Sequence, residues 1–300
     1  MKTTPCHRTH IFLRLACPVI ACLVSGCMLW TPQWQQANSR MPDSDVSWLV
    51  EQAEDKTQAI ADRRSMIEAI EAYETVLTSN PTHFETLTKL AKLYVLLGDA
   101  YTDGIPEKKA HYRRAMRYSE QALYTQPEFK GRILQGEATW DACRGVGPNG
   151  MNAMSTWNMA ILMMYRDCLG PTGRLINYRW MQRVKQVLER MTRIDPTWGK
   201  GFLDVQWGLY YTSAPEILGG DLIKSARHFD RAIDQSPQQH LNRWFRARYR
   251  HQAVGNKQAF IADMQTVAGH PIDENREGGA WVAYCRRNAA ESLNHINDYF

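Results

Sequence analysis

Four times along the chain, three core-type residues and a proline recur at intervals of four, three and five positions. The sets are Ala69, Tyr73, Val76 and Pro81; Ala115, Ser119, Ala122 and Pro127; Val184, Leu188, Met191 and Pro196; and Ser225, Phe229, Ala232 and Pro237. Spacings of three and four put side chains on one face of an α-helix. The proline then removes a helical hydrogen bond and forces a stop. A small residue at the first position, as in three of the sets, lets a paired helix approach closely. Helical periodicity also fills "ETLTKLAKLYVLLGD" and "SMIEAIEAYETVLTSNP", and alternating Val/Ile/Thr strand runs are absent. These features predict an all-α fold, a helical-hairpin solenoid with degenerate repeats. The repeats are uneven. Ala100–His111 lengthens one joint, and a larger insertion between Pro127 and Pro196 carries "GVGPNG" and the apolar "MNAMSTWNMAILMMY".

The first residues follow a different rule. Lys2, Arg8 and Arg14 precede the apolar run Leu15–Val24, which is too short to span a bilayer as a mature helix. The run ends in Ser25, Gly26 and Cys27, an order that resembles the lipobox of bacterial lipoproteins. The resemblance implies a signal peptide over 1–26, a lipid on Cys27, a polar proline-containing tether over 27–45 and a helical domain over 46–300. Met28, rather than aspartate, follows the cysteine, which leans toward the outer membrane. Removing residues 1–26 takes away three cations and no acid, so the formal charge falls from +5 to about +2. That balance gives no reason to expect nucleic acid. No later run is apolar and long enough to cross a membrane. Of the remaining cysteines, Cys143 and Cys168 flank the insertion and are expected to pair in an oxidising compartment, leaving Cys285 free.

The chemistry-bearing motifs are few. G-x-S-x-G, H-E-x-x-H and Walker sequences do not occur, no C-x-x-C is present, and the histidines are scattered. Neither an enzyme nor a cofactor or metal site is expected. Gly219-Gly220-Asp221 lies between an aromatic run and "LIKSARHFDRAI". With no strand before it, it reads as a joint: glycine takes a left-handed turn and Asp221 caps the next helix. Tryptophans are the more informative residues, because they fill cores or anchor interfaces and clefts. Helical stripes place Leu203, Trp207 and Tyr210 on one face, and Leu241, Trp244, Arg248 and His251 on another. Lys92 takes the matching place earlier, and Trp157 in the insertion is a candidate for closing one side. The expected working surface is therefore Trp207, Tyr210, Trp244, Arg248, Lys92 and Trp157. It suits an organic anion or a partner with an acidic rim. The basic-aromatic "RWFRARYRH" is expected to face a partner.

The repeat spacing resembles the tetratricopeptide (TPR) pattern, although only the interval from Pro237 to Pro271 matches its period of about 34. A more specific resemblance runs from about Ile60 to Pro271 and is strongest from Val184 to Pro237. Pro215, Gly219, Gly220, Asp221, Ala226 and Phe229, with "VLERMTRIDPTWGKGFLDVQWGLYY" before them and Trp157 further upstream, resemble the T component of tripartite ATP-independent periplasmic (TRAP) transporters. The resemblance implies a periplasm-facing TPR-like lipoprotein. It further implies a possible homotrimer, pairing with a TRAP substrate-binding protein, and handling of a small, anionic or apolar organic ligand. The insert around Cys143–Gly150 departs from that pattern. The alternative is a scaffold lipoprotein that docks cell-envelope assembly or peptidoglycan enzymes. The two differ in what the concave face offers: an enclosed cavity for a solute, or an open charged groove for a protein.

Overall fold

The computed structural model describes residues 28, 30–33, 46–270 and 279–300. Cys27 and the 1–26 segment lie outside the described residues. Among those described, the chain is all-α: α1 (Ser47–Gln58), α2 (Arg63–Ser79), α3 (Phe84–Ala100), α4 (Ile105–Tyr124), α5 (Pro127–Leu134), α6 (Thr139–Ala142), α7 (Met151–Cys168), α8 (Pro171–Ile176), α9 (Tyr178–Ile194), α10 (Phe202–Ser213), α11 (Leu222–Gln235), α12 (His240–Phe245), α13 (Lys257–Ala268) and α14 (Gly279–Asn294). A π-helical turn, Arg246–His251, continues α12. No described helix is long and apolar enough to cross a membrane.

The periodic residues do what their spacing requires. Ala69, Tyr73 and Val76 on α2, Ala115, Ser119 and Ala122 on α4, Val184, Leu188 and Met191 on α9, and Ser225, Phe229 and Ala232 on α11 are all buried. Each helix ends two or three residues before its proline. Close approach is visible where α10 meets α11: a Cβ on Gly208 would lie 2.7 Å from the Phe229 ring. The glycine joint also forms. Gly219 is left-handed with φ 97°, and the Asp221 carboxylate accepts the backbone N–H groups of Ile223 and Lys224. Gly220 is required for a second reason, since a Cβ there would meet the carbonyl oxygen of Ala214 at 1.9 Å.

The insertion proves to be the centre of the fold. α7 is apolar on nearly every side, as a helix buried all round must be, and it packs against α3, α4, α9 and α10. This corrects the expected disulfide. Cys143 and Cys168 are both free and buried. Cys143 precedes the start of α7 and Cys168 ends it. Eighteen residues of straight helix separate those ends by about 27 Å, far beyond the roughly 7 Å a bridge allows. Cys285 is free and buried, as expected.

The basic-aromatic run is likewise turned inward rather than toward a partner. Arg246 donates to both oxygens of Asp263 and to Asp230. Arg248 Nη2 lies 3.4 Å from Asp99 of α3. The polar tether is not free along its length: Met28 is buried, and Trp30 is half-buried against the body.

Candidate functional site

The joint between α9, α10 and α11 encloses an open cavity of about 460 Å³. Two helices supply its walls at the same spacing. Asp204, Trp207 and Tyr211 stand at i, i+3 and i+7 on α10, and His228, Arg231 and Gln235 repeat those intervals on α11. Glu189, Thr192 and Arg193 from the end of α9 form the rim with Pro196 and Thr197. The Asp195-Pro196 turn ends α9 here because proline cannot continue it. The α11 positions interleave with buried Ser225, Phe229 and Ala232, so the stripe that docks α11 also aims the neighbouring polar stripe into the cavity.

Asp204 organises the floor. Its side chain is buried, and both oxygens are occupied. Arg231 donates to Oδ1 at 2.7 Å, Gln235 donates to Oδ2 at 2.6 Å, and His228 Nδ1 lies 2.6 Å from Oδ1. Arg231 Nη2 is equally close to His228 Nδ1. A guanidinium accepts nothing, so an Nδ1–H can be donated only to the carboxylate. Trp207 donates its indole N–H to Thr192 Oγ1 at 3.0 Å. With the N–H satisfied, the ring offers its apolar surface. It lies 5.7 Å from His228 and 5.8 Å from Tyr211, with planes within 23°. Among the described residues no carboxylate pairs with Arg193, whereas Glu189 faces Lys185 and Asp204 holds Arg231. The cavity therefore combines an aromatic wall, a fixed hydrogen-bonding floor and one exposed, uncompensated guanidinium. That set fits a small organic solute with a ring or apolar part and an acidic group.

The six residues expected to form one working surface do not converge. Trp207 lines the cavity and is 8% exposed; Tyr210 is buried behind it, edge-on at 5.8 Å. Trp244 is a core residue: it is fully buried among Phe245, Tyr249, Trp281 and Tyr284, with its N–H given to Asn288. Arg248 packs over Trp244 and reaches Asp99. Lys92 is exposed on α3, with Nζ 3.3 Å from Asn152 Oδ1. Trp157 is core, donating its N–H to Glu120 at 3.1 Å. Glu120 also accepts from Trp30 at 2.9 Å and faces Thr139. Burial pushes its carboxyl up to about 7, against the pull of those donors. Asp204, Tyr211, His228, Arg231 and Gln235 were not singled out from sequence. The signal was present as two matching i, i+3, i+7 stripes, but nothing local says that they face each other.

Residues 54–300 match the family model of the TRAP transporter T-component. No curated protein matches the chain.

Proposed function

This chain belongs to the TRAP transporter T-component family, and on that premise we propose that it is a periplasm-facing lipoprotein, lipidated at Cys27, whose α9–α11 cavity binds a small organic acid. It acts as a non-enzymatic accessory that presents the solute to, or receives it from, the substrate-binding protein of a TRAP system. The observation that carries this reading is the cavity itself: Arg193 and Arg231 flank the Trp207–His228–Tyr211 rings. The guanidinium of Arg193 suits a carboxylate, and the ring faces suit the solute's apolar body. At about 460 Å³, with three rings stacked along it, the recess has the size and lining of a small-molecule site. Because it is open and carries charged residues, solute binding rather than shape separates this reading from the envelope-scaffold alternative.

The test is a titration of aromatic and aliphatic carboxylates followed by intrinsic tryptophan fluorescence. A saturable change that Trp207→Phe abolishes and Arg193→Gln weakens about tenfold supports the reading, that factor being about 1.4 kcal/mol of lost charge-assisted bonding. Binding that survives both substitutions unchanged removes the cavity from the mechanism.

A further inference from the structure

The segment that immediately follows Cys27 is fastened to the body by buried polar bonds. Met28 donates its backbone N–H to Asn177 Oδ1, and its carbonyl accepts the indole N–H of Trp180 at 3.0 Å. Two residues later, Trp30 donates its ring N–H to Glu120. Arg117 lies over the Trp30 ring at 5.4 Å. Three separate helices thus build the niche: α4 supplies Arg117 and Glu120, α7 supplies Trp157, and the α8–α9 corner supplies Asn177 and Trp180.

The surface around this niche has a distinct chemistry. Leu175, two residues before Asn177, is 53% exposed, and Pro171 and Thr172 beside it are exposed as well. Arg179 and Arg117 are exposed, and Arg183 covers the rings of Trp140 and Trp180 at 3.8 and 4.4 Å. Trp30 and Trp140 are half-buried at the same corner. No ion pair holds Arg179 or Arg183 among the described residues; partial burial and, after it, the like charge of Arg179 pull the Arg183 guanidinium below its usual range. Arginines, interfacial tryptophans and an exposed leucine at one corner are what a bilayer surface with anionic headgroups accepts.

We propose that the α8–α9 corner, with Met28 and Trp30 clasped into it, is the face the chain lays on an anionic phospholipid surface. The proposal rests on the lipid at Cys27. Consecutive α-carbons are only about 4 Å apart, so an acyl anchor at residue 27 leaves the body beside this corner and nowhere else. One consequence concerns the cavity. Thr192 and Arg193 lie at the other end of α9, about 22 Å along the helix from Asn177. A body held by its α8–α9 corner therefore presents the cavity away from the membrane, toward a soluble partner.

The experiment uses the full chain, processed in a lipidating host and reconstituted into vesicles of phosphatidylethanolamine and phosphatidylglycerol. Cysteines are added singly at Thr172→Cys, on the corner, and Thr197→Cys, on the cavity rim. The native thiols Cys143, Cys168 and Cys285 are buried. The expected result is that position 172 reacts with a membrane-impermeant maleimide several-fold more slowly than position 197 in the same vesicles. Trp30→Ala should erase that difference while the protein still floats with the vesicles. Arg179→Gln should narrow it without erasing it, because Arg117 and Arg183 still stand beside the anionic surface. Equal labelling at both positions in floating protein overturns the orientation and leaves lipidation intact. Protein that does not float, or floats equally as Cys27→Ala, overturns the lipid reading and the orientation with it. Protection that is unchanged on neutral phosphatidylcholine overturns the anionic preference.

Discussion

Two places in this molecule set a tryptophan beside a buried carboxylate, and they are put to different ends. At Glu120, two indole N–H groups and the Thr139 hydroxyl converge on the acid, and the chain's own N-terminal segment closes the site. At Asp204, a histidine, an arginine and a glutamine converge on the acid, and the site stays open as a cavity. The difference lies in the donors. Neutral indoles satisfy hydrogen bonds but cannot offset the loss of hydration, so the Glu120 carboxyl rises to about 7. A half-exposed guanidinium at Asp204 compensates charge while keeping contact with water. One arrangement seals a joint, and the other leaves a recess for a guest.

The largest expected effect tests the sealed site. Trp157→Ala should cost about 4 kcal/mol in chemical denaturation, the usual range for emptying a buried aromatic position. A loss below about 2 kcal/mol would mean that the clasp and α7 can collapse around the gap, and the contrast with the cavity would weaken. Asp204→Asn should cost less, about 2 kcal/mol, because the amide still accepts one bond while Arg231 can turn to water. Its sharper signature is functional: with the floor disordered, solute-dependent fluorescence should fall by more than the stability loss explains.

The pH dependence separates the two sites next. Glu120 has its folded-state carboxyl above the ordinary 4.5, so the folded chain holds that proton more tightly than the unfolded one. The resulting stabilisation is complete below about pH 4.5 and is lost as pH rises through about 7. The groups facing it are Trp30, Trp157, Thr139 and the Arg117 charge, with the Cys143 thiol nearby. Urea midpoints should therefore decline across that window, and Glu120→Gln should flatten the decline. A midpoint that stays level in the parent chain would show the acid to be hydrated. The smallest stability effect belongs to Arg193→Gln, within about 0.5 kcal/mol at an exposed position. Thermal melting should not distinguish it from the parent, although its solute affinity drops.

Local rules made much of this protein legible in its sequence. The prolines end their helices, the four-three spacing buries its residues, and Asp221 caps α11 behind a left-handed Gly219, because each depends on residues within about two turns of one another. The family resemblance on Pro215–Phe229 agrees with the match over residues 54–300. The helical stripe of Trp207 leads to the cavity, but Trp244 has a stripe of the same kind and lies in the core, as does Trp157. Period alone reports that a face is apolar, not whether another helix covers it. The tertiary structure alone decided that α7 is the centre rather than an appendage, that its length keeps Cys143 from Cys168, and that Arg246 and Arg248 turn inward to Asp263 and Asp99. It alone brought Asp204 against His228 and Arg231, and seated Met28 on Asn177 and Trp180, residues some 150 positions away. These contacts join segments whose local sequences are indifferent to each other. Their geometry is set by how whole helices pack, and no short window of sequence records that.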